Sequence, residues 1–530
     1  MDTPGTSTVR HAVTQFLRDS GMTTVFGNPG STELPFLDRW PNDLRYVLGL
    51  QESSVVAMAD GYARATGQAA FCSLHSAVGV GHAAGSIFTA FRNQAPLVIT
   101  AGQQARSLLP LNPFLGATEA AQFPKPYVKW SVEPARAADV PAAIAHAWHI
   151  ALQPPCGPTF VSIPMDDWSA PSAPLPPRRI GRDAGPDPTM LREAADALAA
   201  SRAPVLVIGP EVDAAGAGPA AVALAERLDA PVLASPFSSR ASFPETHPLF
   251  AGFLAAAPDA VTEGLAPYDL VLVLGAPVFT FHVVGDYRLP PIIQMTADGE
   301  AIAAAPAGAG ILGSLRLGLP ALIDLLAPSG RPAPPPRPRP AAPVAADPIP
   351  VEFLLHGLAA RRPAGSIIVE EAPSHRPAIQ RHLPIPDWGG FFTMASGGLG
   401  YGLPAAVGVA LAWPGRRVIA VIGDGSMMYS IQALWTAVQE ALPLTVIVLN
   451  NGGYGAMRSF SRVLGVEDAP GIDLPGLDFP SLAAGMGCAA LRVDAAADLA
   501  PALETAFASQ APMLLDVALD PAIHALYRKG

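Results

Sequence analysis

Short apolar runs alternate along the chain with longer stretches whose apolar residues recur at helical spacing. In the first third, "LRYVLGL" (44–50) and "PLVITAG" (96–102) predict strands, and "SSVVAMADGYARATG" (53–67) between them predicts a helix. In the middle, "APVLVIG" (203–209) and "DLVLVLGAPV" (269–278) predict buried strands. Toward the end, "RVIAVIGDG" (417–425) predicts a strand, "SIQALWTAVQEAL" (430–442) one helix, and "LTVIVLNNGG" (444–453) the next strand. Strands alternating with helices are the pattern of parallel sheets joined by crossover helices. Two proline-rich stretches, 169–188 and 331–350, interrupt it, because proline removes a backbone donor and disfavours helix in its neighbours. The second should be extended and polyproline-like. The expected architecture is therefore α/β, with three doubly wound parallel-sheet domains at 1–175, 189–330 and 351–530, and a linker at 331–350.

Composition narrows the functional classes. A formal charge of -11 over 530 residues gives no cationic surface for a nucleic acid. No run of about 20 apolar residues predicts a membrane span. The amino terminus lacks a basic start followed by an apolar stretch, so a cytoplasmic protein is expected. Three separated cysteines, Cys72, Cys156 and Cys488, suit neither a disulfide framework nor a zinc site.

Candidate chemistry sits where strands end. Gly423-Asp424-Gly425 closes one predicted strand, and Asn450-Asn451 closes the next after a single helix. A β-α-β crossover brings both to one edge of a parallel sheet, where open α/β folds bind ligands. A carboxylate, an amide oxygen and a nearby carbonyl form a hard-oxygen set suited to Mg²⁺, whose other positions are usually water and phosphate. The glycines leave room for a diphosphate, and the following helix should turn its amide groups toward it. Alone, G-D-G reads as a turn. In the first domain Glu52 lies between a strand and a helix, where it could simply favour the helix dipole.

The G-D-G and N-N pair at this spacing resembles the diphosphate-binding motif of thiamine diphosphate enzymes. That resemblance implies Asp424, Asn451 and the Gly453 carbonyl as Mg²⁺ ligands. It implies Ser374, Gly398, Leu399, Gly423, Gly425, Ser426 and Tyr454 as cofactor contacts, with Leu399 wedging the cofactor into a bent shape. Glu52 then matches the carboxylate that polarises the aminopyrimidine, so that its imino tautomer can deprotonate the thiazolium. "VFGNPGSTELPFL", "LHSAVGVGHAAG", "GAPVFTFH", "NNGGYGAMRSF" and "PGIDLPGLDF" extend the likeness to the benzoylformate decarboxylase branch over nearly the whole chain. This branch implies that Ser31 holds a substrate carboxylate, that His75 and His282 move protons, and that Met457 and Phe460 line the pocket. It implies a 2-oxo acid substrate, benzoylformate above others, and a homotetramer of dimers in which Glu52 of one subunit faces Asp424 of another. The "VEEAPSHRP" segment, with Pro373 in place of a hydroxyl, and Thr393, in place of an aromatic wall, depart from the branch. So does His82, where Asn is common, and the substrate range could differ accordingly. The alternatives are a carboligase or lyase of the same cofactor class, acetolactate-synthase-like or acyl-CoA-lyase-like, or a decarboxylase of aliphatic acids. A nucleotide-binding scaffold has little support, because the middle domain has no G-x-G-x-x-G after a strand.

Overall fold

The structure is a computed structural model that describes residues 7–279, 285–522 and 526. Its first sheet takes β1 (Thr24–Gly27), β2 (Arg45–Leu48), β3 (Ala70–Leu74), β4 (Leu97–Gln103), β5 (Ser131–Val132) and β6 (Thr159–Pro164). They lie in the order β2-β1-β3-β4-β6-β5. The second sheet takes β7 (Pro204–Ile208), β8 (Val232–Ala234), β9 (Phe250–Phe253), β10 (Leu270–Leu274), β11 (Ile292–Thr296) and β12 (Ala309–Leu312), ordered β12-β11-β10-β7-β8-β9. The third takes β13 (Ile367–Glu371), β14 (Phe391–Phe392), β15 (Val418–Gly423), β16 (Leu444–Asn450), β17 (Ala489–Val493) and β18 (Met513–Ala518), ordered β14-β13-β15-β16-β18-β17. Neighbouring strands within each sheet are parallel. Counted from its own first strand, the third sheet repeats the order of the first. The middle sheet has instead the order of dinucleotide-binding folds.

Helices cover both faces, so the central strands are buried throughout and read as continuous Val/Ile/Leu runs, as in Pro204–Ile208 and Leu270–Leu274. The first and third sheets share one core through the helices Glu52–Thr66 and Gly402–Ala412. Their backbones touch. A Cβ on Gly408 would lie 1.9 Å from the Met58 carbonyl oxygen, and one on Gly61 would lie 2.3 Å from that of Ala405.

A buried arginine junction fixes the three domains together. Arg64 donates to the Thr393 carbonyl (2.9 Å), the Tyr401 hydroxyl (2.6 Å) and the Ser239 carbonyl (2.7 Å). Arg240 pairs with Asp213 at 2.7 Å and lies 4.8 Å from the Phe392 ring centroid, while Arg64 lies 5.5 Å from the same ring. Arg376 pairs with Glu370 and donates to the Ser238 carbonyl. Thr393, expected at a pocket wall, is fully buried here, its carbonyl held by Arg64 and its hydroxyl by Arg376.

Two sequence expectations are sharpened by the structure. The helix expected over 430–442 is present but shorter, Ala433–Gln439, and a separate four-residue helical turn, Asp424–Met427, precedes it directly after β15. Apolar spacing continues through residues 428–432, but the backbone there forms turns that bring Ser430 back onto the Met427 carbonyl. The 331–350 segment has no regular structure, yet it is docked. Arg331 donates to the carbonyls of Leu228, Leu198 and Ser201, and Arg337 stacks on Phe250 and Phe253.

Candidate active site

Two clusters form, each at the carboxyl ends of strands. In the third sheet Asp424 follows β15 and is buried. Its Oδ1 accepts the Gly425 N–H at 2.7 Å, and its Oδ2 accepts the Gly453 N–H at 2.8 Å. Burial pushes the carboxyl above its ordinary range, and the N–H groups of Gly425, Gly453 and Gly452 pull it back. Asn451, after β16, is buried as well, and its amide nitrogen has no hydrogen-bond partner. A buried polar group without a partner is costly, which makes this side chain conspicuous. The Tyr454 ring lies over Gly425, where a Cβ would come within 2.4 Å of a ring carbon. Ser374 accepts the Ala456 N–H at 2.9 Å, tying the turn after β13 to the helix Gly455–Leu464.

The same edge carries the segment around Leu399, held by a residue that motif reading overlooks. Glu371, the last residue of β13, accepts the N–H of Gly400 at 2.7 Å and that of Gly402. Its carboxyl is pushed up to about 7 by burial, against the pull of the Gly400, Gly402 and Tyr401 N–H groups. Leu399 is thereby fixed beside the strand end, half-buried. Gly398 and Met457 are exposed, Ser426 is buried and Phe460 is partly buried.

The second cluster belongs to the first sheet. Glu52 is the first residue of its helix and is buried, but it does not cap it. Gln51 does, accepting the N–H groups of Ser53 (2.7 Å) and Ser54 (3.3 Å). Glu52 stands in the first turn, where its charge favours the helix dipole, but the end amides do not need its oxygens, which remain available for other work. His75 stands at the end of β3, with its Nδ1 2.9 Å from Glu33 Oε2 and 3.2 Å from the Thr32 hydroxyl. Glu33 is buried and also accepts the N–H groups of Gly30 and Gly102, both at 2.9 Å. A hydrogen bond to a charged group is worth about 1.5–3 kcal/mol, more than the roughly 1 kcal/mol of rotamer freedom the ring gives up. His75 is thus held in one orientation. Ser31 lies exposed in the adjoining loop, and His282 lies outside the described residues.

Within one chain the structure does not join the clusters. Among the described residues, no hydrogen bond or ion pair links Glu52 or His75 to Asp424 or Asn451. Large apolar side chains are left uncovered beside both: Leu50 and Val78 near Glu52 and His75, Met428 and Tyr429 near Asp424.

Matched pseudo-repeated sheets, each with a carboxylate at a strand end, define a class that the comparisons make explicit. The chain belongs to the thiamine pyrophosphate enzyme family: residues 7–122 match the N-terminal TPP binding domain, 191–322 the central domain and 374–517 the C-terminal TPP binding domain. Within that family it is 46% identical to benzoylformate decarboxylase of Pseudomonas aeruginosa, over 96% of this chain and 98% of that one. Benzoylformate decarboxylase from Polynucleobacter necessarius superposes with a TM-score of 0.96 at 37% identity, covering 98% of this chain and 99% of that one. The 4-hydroxybenzoylformate decarboxylase of Rhodococcus jostii gives 0.95 at 42% identity, covering 98% and 100%.

Proposed function

We propose that this chain decarboxylates an aryl 2-oxo acid, benzoylformate in first place, to the aldehyde and CO₂, using thiamine diphosphate and Mg²⁺. The observation that carries the reading is the buried Glu52 carboxyl, which the helix end does not need because Gln51 caps it, with His75 held in one orientation at another strand end of the same sheet. When bound, the cofactor would supply a nucleophilic carbon and an electron sink for decarboxylation. The protein residues orient and exclude water. Ser31 would hold the substrate carboxylate, and His75, fixed by Glu33, would pass a proton to and from the substrate oxygen, with His282 as its counterpart. Met457 and Phe460 would meet the aryl ring. Asp424, Asn451 and the Gly453 carbonyl would hold Mg²⁺: a buried carboxylate after β15 and a buried amide after the adjoining β16 offer, through their oxygens, the hard-oxygen set this ion takes. Ser374, Gly398, Leu399, Gly423, Gly425, Ser426 and Tyr454 would surround the cofactor.

The uncovered apolar residues beside each cluster support pairing of two chains, one giving Glu52 and the other Asp424, within a homotetramer. No helix among the described residues is long and apolar enough to cross a membrane, and a cytoplasmic enzyme is the reading adopted. A panel of 2-oxo acids assayed for CO₂ release tests the substrate. Benzoylformate should rank first, and preference for pyruvate or branched aliphatic acids would overturn the aryl assignment. Replacing His75 by alanine should lower turnover about 10²-fold. A wild-type steady-state rate would remove His75 from proton transfer.

A flavin-binding synthase of the same cofactor class is disfavoured by the middle domain. In its sheet the order reverses between β7 and β10, where such folds seat dinucleotides. Here the Gly209 N–H reaches the Leu274 carbonyl at 2.8 Å and the Glu211 N–H reaches that of Gly275 at 3.2 Å. The Glu211 carboxylate fills the mouth, accepting the Thr296 hydroxyl and the Ala297 N–H. The purified protein should be colourless, and a flavin absorbance spectrum at stoichiometric level would contradict this.

A further inference from the structure

The helix Ser76–Arg92 carries His82 one turn beyond Gly79, and its imidazole turns back onto Glu52. His82 Nδ1 lies 3.2 Å from Glu52 Oε2. Among the described residues this is the one side-chain group that reaches the Glu52 carboxyl. Oε1 has a different neighbour. It lies against Gly79, where a Cβ would be 2.9 Å from it, so the Gly79 backbone closes one side, and among the described residues no donor bonds to it. The two oxygens are therefore unequal: one is held by an imidazole, the other is free. His82 is itself 56% exposed, against 9% for the Glu52 side chain, so the pair faces outward on the side where the apolar Val78 is also uncovered.

We propose that His82 is a positioning residue for Glu52, donating its Nδ1–H to Oε2 and thereby presenting Oε1 to the pyrimidine ring nitrogen of the cofactor. This rests on the reading of Glu52 given above. Glu52 shares the proton of its Oε1 with the ring nitrogen and recovers it afterwards, while Oε2 stays on the imidazole throughout. No net proton is consumed. Without the imidazole the carboxyl can rotate about its last bond and use either oxygen, so the shared proton is in line less often. Other polar groups nearby are engaged elsewhere. Glu33 and Thr32 hold His75, Asp60 bonds Asn93 and Tyr401, and Gln51 caps the helix.

The test uses the full-length protein with thiamine diphosphate and Mg²⁺, and three readouts. Cofactor affinity is measured by calorimetry, hydrogen–deuterium exchange at the cofactor C2 by quenched-flow NMR, and kcat and KM by steady-state turnover. His82→Ala should slow C2 exchange and kcat together by about tenfold, the size of one hydrogen bond to a charged group. Cofactor affinity and substrate KM should change by less than about threefold. His82→Asn, whose amide N–H can reach the same oxygen, should restore exchange to within about threefold of wild type. In a Glu52→Gln background, His82→Ala should slow exchange no further. Wild-type exchange in His82→Ala, or equal slowing with and without Glu52, overturns the proposal. A wild-type chain that captures no cofactor would overturn the functional reading itself, and the calorimetry separates that outcome from failure of His82 alone.

Discussion

Glu52→Gln should lower decarboxylation by about 10²- to 10⁴-fold, the range for loss of a positioned proton-transfer group. The magnitude follows from what the amide keeps and what it loses. Glutamine fills the same space at the start of the Glu52–Thr66 helix, and Gln51 still caps it, so the fold should survive. Its side chain can still meet a ring nitrogen, but it cannot share an acidic proton with it. Cofactor affinity by calorimetry should therefore stay near wild type while CO₂ release falls. Unchanged turnover would reject the activating role. Loss of affinity without loss of turnover would assign Glu52 to binding alone.

Asp424→Ala should act on the opposite quantity. Asp424 organises the strand end by accepting two backbone N–H groups and, on the functional reading, would oppose the charge of a divalent ion. Removing one member of a buried charged pair costs about 3–5 kcal/mol, so cofactor affinity should fall by at least 10²-fold. Chelation of divalent ions in the wild-type protein should do the same. Thermal unfolding of the cofactor-free variant should remain cooperative, which separates lost binding from lost fold. Capture of the cofactor by Asp424→Ala at wild-type affinity would remove this residue from the metal site.

The sheets were readable because their central strands are buried on both faces and so appear as unbroken apolar runs between turn residues. The metal-site candidates were readable because two short motifs sit one crossover apart. The supporting contacts were not. Glu33 gathers Gly30, His75 and Gly102 from three strand ends, and nothing in "STELPF" announces partners up to 69 residues away. Glu371 is one of two adjacent glutamates, and only the return of the chain at 400–402 sets it apart from Glu370, which pairs with Arg376. His82 stood out in the sequence only as a departure from the branch, and its contact with Glu52 was not readable because it depends on how two helices pack. The late start of the helix at Ala433 was hidden by apolar spacing that continues through the turns before it. Periodicity reports which residues are buried, not whether the backbone between them stays helical.

On the proposed function, each working site is assembled from two chains. Glu52→Gln and Asp424→Ala, each inactive alone, should be co-expressed with different tags and the mixed oligomers isolated. Each such pair has one site with both residues intact and one with neither, so CO₂ release from benzoylformate should recover to as much as about half of wild type. Mixed oligomers that remain as inactive as either parent would contradict the shared site.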